Sequence, residues 1–149
     1  MQLGVSIPPG FYTGARTFLE LLSLSSKRMN LIGPGEGGRL WERHLLESVA
    51  FGPFIQGENV VDIGTGAGFP GFILALLGFS VTMVEPRRKR CAFLETAARE
   101  CSIGAKIING RIEDAGPFPR GTVFTSRGVK SPEDMLLMVD SVSRGIPFY

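Results

Sequence analysis

At 149 residues the chain is long enough for one domain that buries about two-thirds of its unfolded surface. Hydrophobic residues make up 44% and charged residues 20%, which excludes an intrinsically disordered chain. The net charge of +2 is too small to imply a nucleic-acid partner by itself, so the placement of the charges matters more than their sum.

The N-terminus, residues 1 to 10, has no basic residue and no long apolar run, so no signal peptide is expected. A helix is predicted over Thr13 to Arg28, with Phe18, Leu21, Leu22 and Leu24 on its apolar face. The tract from Gly33 to Gly38 has no means of packing and reads as a mobile loop. A second helix is predicted over Leu40 to Phe51. Leu45, Leu46 and Val49 can pack; Arg43, His44, Glu47 and Ser48 form its polar set. Trp41, Phe51 and Phe54 are expected in the core. These N-terminal helices, 1–54, form a helical cap on a core of residues 55–149.

From Asn59 the pattern changes. Val60, Val61 and Ile63 suit a strand buried on both faces. Gly64, Gly66 and Gly68 allow a tight turn that comes close to a ligand. Pro70 fits the start of a helix that runs through the apolar residues from Phe72 to Leu77 and stops at Gly78. Val81 to Val84 is a second strand, ending at Glu85. Arg87 to Cys101 is a helix with Phe93, Leu94, Ala97, Ala98 and Cys101 on one face. Lys106 to Asn109 and Thr122 to Thr125 are further strands. Ser131, Pro132, Glu133 and Asp134 combine an N-cap, a first-turn proline and two acids, a strong helix start. That helix carries Leu136, Leu137, Val139 and Val142, and Ile146 to Tyr149 can begin a fifth strand.

Strands alternating with helices imply an α/β domain with a largely parallel sheet. Ligands then bind beyond the carboxyl ends of the strands. Gly64, Glu85, Ile112, Glu113, Ser126 and Arg127 all follow predicted strands and should gather on one rim.

Gly66, Gly68 and Gly71 spell the dinucleotide fingerprint G-x-G-x-x-G. Asp62 argues against a pyrophosphate, which wants positive potential at the helix start. S-adenosylmethionine carries no phosphate, and its sulfonium and amino groups are cationic, so a nearby carboxylate suits it better. Glu85 is placed to accept ribose hydroxyls, as acids do in nucleotide folds. A nicotinamide or flavin cofactor remains a weaker alternative. The two cysteines, Cys91 and Cys101, lie about 15 Å apart along one predicted helix, too far for a disulfide. Free thiols point to a reducing cytoplasm. The single histidine, His44, cannot build a metal site with them, so a hydrogen-bonded structural role is expected. Arg87, Arg88, Lys89 and Arg90 oppose the dipole at a helix start, where RNA phosphates or Glu85 can compensate them; a solvated helix end is the equal alternative.

With these residues in hand, the chain resembles the bacterial 16S ribosomal RNA guanine-N7 methyltransferases, the glucose-inhibited division protein B family, from about Phe18 to Asp140. The most specific parts are Val61 to Gly71, including Phe69-Pro70-Gly71, and Thr125-Ser126-Arg127-Gly128. Arg43-His44-Leu45-Leu46-Glu47-Ser48 is similar to the family's Arg-His-x-x-Asp-Ser, with Glu47 in place of Asp. Met29-Asn30-Leu31 is similar to its Asn-Leu-Thr segment, with Ile32 in place of Thr.

The resemblance implies a class I S-adenosylmethionine-dependent methyltransferase, Rossmann-like and C-terminally short beside the usual seven strands. It implies that Gly64, Gly66 and Phe69 touch the cofactor, that Glu85 holds the ribose, and that Ile112 and Glu113 flank the adenine. Arg127 would sit between cofactor and RNA, as both contact and catalytic residue. The implied partner is 16S ribosomal RNA or the small ribosomal subunit, with no metal and no membrane, acted on by a cytoplasmic monomer. A non-catalytic RNA- or ribosome-binding module derived from such an enzyme is the alternative.

Overall fold

The computed structural model describes residues 5–31, 40–128 and 130–143, with the side chains of 40–42 outside the described set. Four strands form one parallel sheet: β1 (Asn59–Ile63), β2 (Ser80–Glu85), β3 (Lys106–Asn109) and β4 (Val123–Ser126), in the order β3-β2-β1-β4. β1 is central, pairing in parallel with β2 on one side and β4 on the other. The change of direction on either side of β1 opens a crevice beyond its carboxyl end, where α/β sheets bind ligands.

Helices cover both faces. α1 (Phe11–Ser26), α3 (Gly71–Leu76) and α4 (Arg88–Glu100) share one apolar cluster with Val60, Val81 and Met83. The short α5 (Ile112–Ala115) and α6 (Pro132–Ser143) share the opposite cluster with Val61, Ile63 and Val84. Alternate residues of β1 thus feed two cores, as the period-2 geometry of a strand requires. The result is the α/β/α layering of a class I methyltransferase fold.

The start of α6 follows the sequence signal: Ser131 Oγ accepts from the Asp134 N–H at 3.2 Å. Phe11, Ala15, Phe18, Leu19 and Leu22 are buried along α1, whereas Leu24 is 63% exposed and Leu136 and Leu137 of α6 are also exposed. Leu24 lies two residues past Leu22, about 200° around the helix, and so faces away from the sheet. The segment Leu40–Leu45 is a π-turn that passes into α2 (Leu46–Phe51) and a 3-10 turn (Gly52–Phe54). Here the sequence expectation needs correcting: His44, Leu45, Ser48 and Val49 are buried, and Leu46 is exposed. Pairs four residues apart form the inward stripe, which leaves Leu46 outside it. Phe54 is likewise exposed rather than core. The loop 33–38, the side chain of Trp41 and the expected strand 146–149 lie outside the described residues.

Candidate cofactor site

The turn after β1 is held by four backbone N–H groups. Gly64 N–H and Thr65 N–H both donate to Val84 O, at 2.9 and 3.2 Å. Gly66 N–H donates to Glu85 Oε2 at 2.9 Å. Gly68 N–H closes on Thr65 O at 2.9 Å. Gly64, Gly66 and Gly68 have φ of 63°, 61° and 108°, a region that side chains with a Cβ rarely enter. The turn therefore winds back over the end of β2 and packs against its acid.

Glu85 is 3% exposed. Its second oxygen accepts the Arg87 N–H at 3.0 Å, and its carbonyl accepts from Gly110 N–H, Asn109 Nδ2 and Cys91 Sγ. The end of β2 is thus tied to β3, α4 and the turn at once. It is the Arg87 backbone, not its guanidinium, that meets Glu85. A carboxylate has about four lone-pair sites, so two backbone donors leave Glu85 capacity for further donors.

Asp62 has a different role from the one its sequence position suggests. It is fully buried. Its Oδ2 accepts from Thr65 Oγ1 at 2.6 Å and Gly71 N–H at 2.9 Å, and its Oδ1 accepts from Thr125 Oγ1 at 3.0 Å. The carboxylate joins the turn, the first residue of α3 and β4; it is committed to these donors rather than turned toward a cationic ligand. Gly71 must lack a side chain for this, since a Cβ there would stand 2.6 Å from Asp62 Oδ2.

Burial raises the Asp62 carboxyl from 3.8 to about 6, against the lowering effect of its bonds to Thr65, Gly71 and Thr125 and of the Arg127 charge. The folded chain therefore binds this proton more tightly than the unfolded chain. The stability contributed is fully present below pH 3.8 and is lost as pH rises through about 6. Unfolding titrations should show the stability of the native chain rising by about 2 kcal/mol relative to Asp62→Asn between roughly pH 7 and 4.5. A pH-independent difference would show that Asp62 carries no such shift. Asp62→Ala, which strands three buried donors, should cost about 3 kcal/mol at neutral pH.

On the β4 side, Arg127 Nη2 donates to His44 Nδ1 at 2.6 Å, and Nη1 lies 3.4 Å from Glu47 Oε2. That Nη1 is buried and makes no hydrogen bond of good geometry, so Glu47 holds it by charge alone. The His44 ring stacks on Phe69 of the turn, with centroids 5.0 Å apart and planes at 25°. Phe69 in turn packs edge-on against Phe18 of α1 at 5.5 Å, and Phe18 stacks on Phe72 at 4.0 Å.

The cavity of about 900 Å³ lies elsewhere, along β4 and α6, and meets the strand ends only through residues such as Ile63, Thr125 and Ser126. It contains neither the glycine turn nor Glu85. Hydrogen-bonded groups at the strand ends, not cavity size, locate the candidate site.

Residues 12–145 match the family model described as rRNA small subunit methyltransferase G, GidB. The chain belongs to the GidB family. It is similar to proteins named ribosomal RNA small subunit methyltransferase G from Paramagnetospirillum magneticum, at 41% identity over 82% of this chain, and from Mycobacterium sp. (strain JLS), at 39% over 78%. A protein of the same name from Salinispora arenicola is 40% identical over 87% of this chain. The matches span 60%, 55% and 62% of those relatives' own lengths.

Within this GidB chain the expected site residues fall into three groups. Gly64, Gly66 and Glu85 are joined through the end of β2. Phe69 and Arg127 are joined through His44. Ile112 and Glu113 stand apart on α5, where the Ile112 side chain is buried in the second core at 2% exposure and Glu113 is exposed. Only the backbone of Ile112 is left for a ligand. The coupling of His44 to Arg127 has no signal in local sequence, because the two are 83 positions apart. Among the described residues no group of three or more His, Cys, Asp or Glu could hold a metal ion, and no helix is long and apolar enough to cross a membrane.

Proposed function

We propose that this GidB chain supports methyl transfer from S-adenosylmethionine to guanine N7 of 16S ribosomal RNA. The observation that carries this reading is the glycine turn folded onto the buried acid of β2, with Arg127 held at the neighbouring strand end.

The residues present fit such a cofactor. Gly66 holds φ at 61°, which side chains rarely adopt, and a Cβ there would meet Arg90 Nη1 only at an ordinary 3.7 Å, so the bare backbone leaves room for a ligand at this point of the turn. Gly64, Gly66 and Phe69 would hold the methionine and adenosine portions. Glu85 would accept the ribose hydroxyls. Glu113 and the backbone of Ile112 would flank the adenine. The cofactor supplies an electrophilic methyl on a sulfonium.

Guanine N7 is an acceptor with an exposed lone pair. No proton must leave before attack, so no general base is required of the protein. The work left to the chain is alignment of N7 with the methyl and stabilisation of shifting charge by fixed polar groups. Arg127 would take both roles at the boundary between cofactor and RNA. The proposed setting is the cytoplasm, where ribosomal RNA is found.

Calorimetric titration with S-adenosylmethionine and S-adenosylhomocysteine tests the pocket. Binding should be micromolar in the native chain and weakened about 100-fold in Glu85→Ala, which removes a buried charge-assisted acceptor. Methyl incorporation into small-subunit RNA tests the reaction. Cofactor binding without incorporation would favour the alternative of a non-catalytic RNA-binding module. A well-folded chain without cofactor affinity would overturn the cofactor assignment.

A further inference from the structure

We infer that His44 is a positioning residue for Arg127, and that it ties the orientation of that guanidinium to the glycine turn. The inference rests on the proposed role of Arg127 for its functional meaning; its geometry stands independently.

An arginine guanidinium is always a donor. At 2.6 Å from Arg127 Nη2, the His44 Nδ1 must therefore offer its lone pair. The ring proton then sits on Nε2, and the imidazole is neutral. Histidine ring nitrogens are distinguished in this way by the partner each one has. His44 is 7% exposed and lies against Phe69, so its ring plane is set by a residue of the turn. Its backbone is fixed as well: Ser48 Oγ donates to His44 O at 2.6 Å.

The charged groups around this contact do not replace it. Glu47 lies 3.4 Å from Arg127, but it is also 3.9 Å from Arg43, so its charge is shared between two guanidiniums. Asp62 feels the Arg127 charge from within the core, and its oxygens accept from Thr65, Gly71 and Thr125. Among the described residues, His44 makes the short directional bond that selects one rotamer of Arg127. A protonated ring could not accept that bond and would repel the guanidinium. The arrangement follows the general pattern in which an outer partner orients a working side chain. A path of two contacts then runs from the turn to the far strand end: Phe69 against His44, and His44 to Arg127.

Because the chain has one histidine, selective 15N labelling gives one pair of ring-nitrogen signals. In the full chain, Nδ1 should be the unprotonated nitrogen and Nε2 the protonated one. Arg127→Ala should shift the Nδ1 signal or release the tautomer preference. A proton on Nδ1, or ring signals unchanged by Arg127→Ala, would overturn the inference.

Kinetics supply the second arm. His44→Asn keeps an acceptor at the Nδ1 position, whereas His44→Leu does not. Methyl transfer by His44→Leu should lose about 30-fold in kcat with the KM for S-adenosylmethionine changed less than about threefold, and His44→Asn should recover about tenfold of that loss. Equal losses in the two variants, or a loss confined to KM, would refute the positioning role. Should the chain transfer no methyl group at all, the labelling experiment still decides the tautomer, so failure of the proposed reaction is separable from failure of this inference.

Discussion

Gly64→Val should abolish measurable binding of S-adenosylmethionine, a loss of at least about 100-fold in affinity. Two effects combine. The φ of 63° at Gly64 is a left-handed conformation, and a β-branched residue held there costs about 1–3 kcal/mol. The turn would relieve this by moving, and the Gly64 N–H bond to Val84 O at 2.9 Å would be lost with it. Any valine that stayed in place would add a side chain at the point where the proposed cofactor would approach the backbone. Calorimetry separates these outcomes from unfolding when run beside circular dichroism. Retained affinity in a folded variant would remove this turn from the cofactor site.

The second large effect is expected at Arg127. Arg127→Ala should bind S-adenosylmethionine within about tenfold of the native chain and lose at least about 100-fold in methyl transfer, the size typical of a lost charge-stabilising donor. The residue lies just past the end of β4, and among the described residues no hydrogen bond joins it to Glu85 or to the N–H groups of the turn. Cofactor affinity should therefore survive its removal. Turnover equal to the native rate would exclude Arg127 from the mechanism. Arg127→Lys should recover little, since a lysine ammonium cannot reach His44 and Glu47 with the planar fork that guanidinium offers.

Much of this arrangement could be read locally. β1, its glycine turn and α3 follow one another without interruption, and each announces itself: β-branched residues, then glycines, then an apolar run. Glu85 was legible because the acid sits at the end of a short apolar strand. Ser131 was legible because a helix cap acts over three residues. Errors came where an apolar residue had two faces open to it. Leu24, Leu46 and Phe54 have the composition of core residues, and only the partner elements decide that they face outward. Long-range polar pairings were beyond reach for a different reason. Thr125 is 63 positions from Asp62, and Arg127 is 83 from His44. No spacing rule connects such pairs in a single sequence. Asp62 does carry a local signal. A threonine three residues after a strand aspartate is placed to hydrogen-bond it locally, and that signal favours a satisfied core carboxylate over one waiting for a cation.

The bond from Thr125 to Asp62 also has a meaning for the order in which the chain is made. Synthesis delivers β1 with its turn first, then β2 and β3, which can zip onto one side of β1 as they emerge. Synthesis proceeds from the N-terminus at about 5–20 residues per second. A nascent chain that stops short of Thr125 lacks one of the three donors to a carboxylate destined for burial at the centre of the fold. The glycine turn and the last described strand are therefore finished together, and an early fragment has a half-sheet whose key acid still needs water.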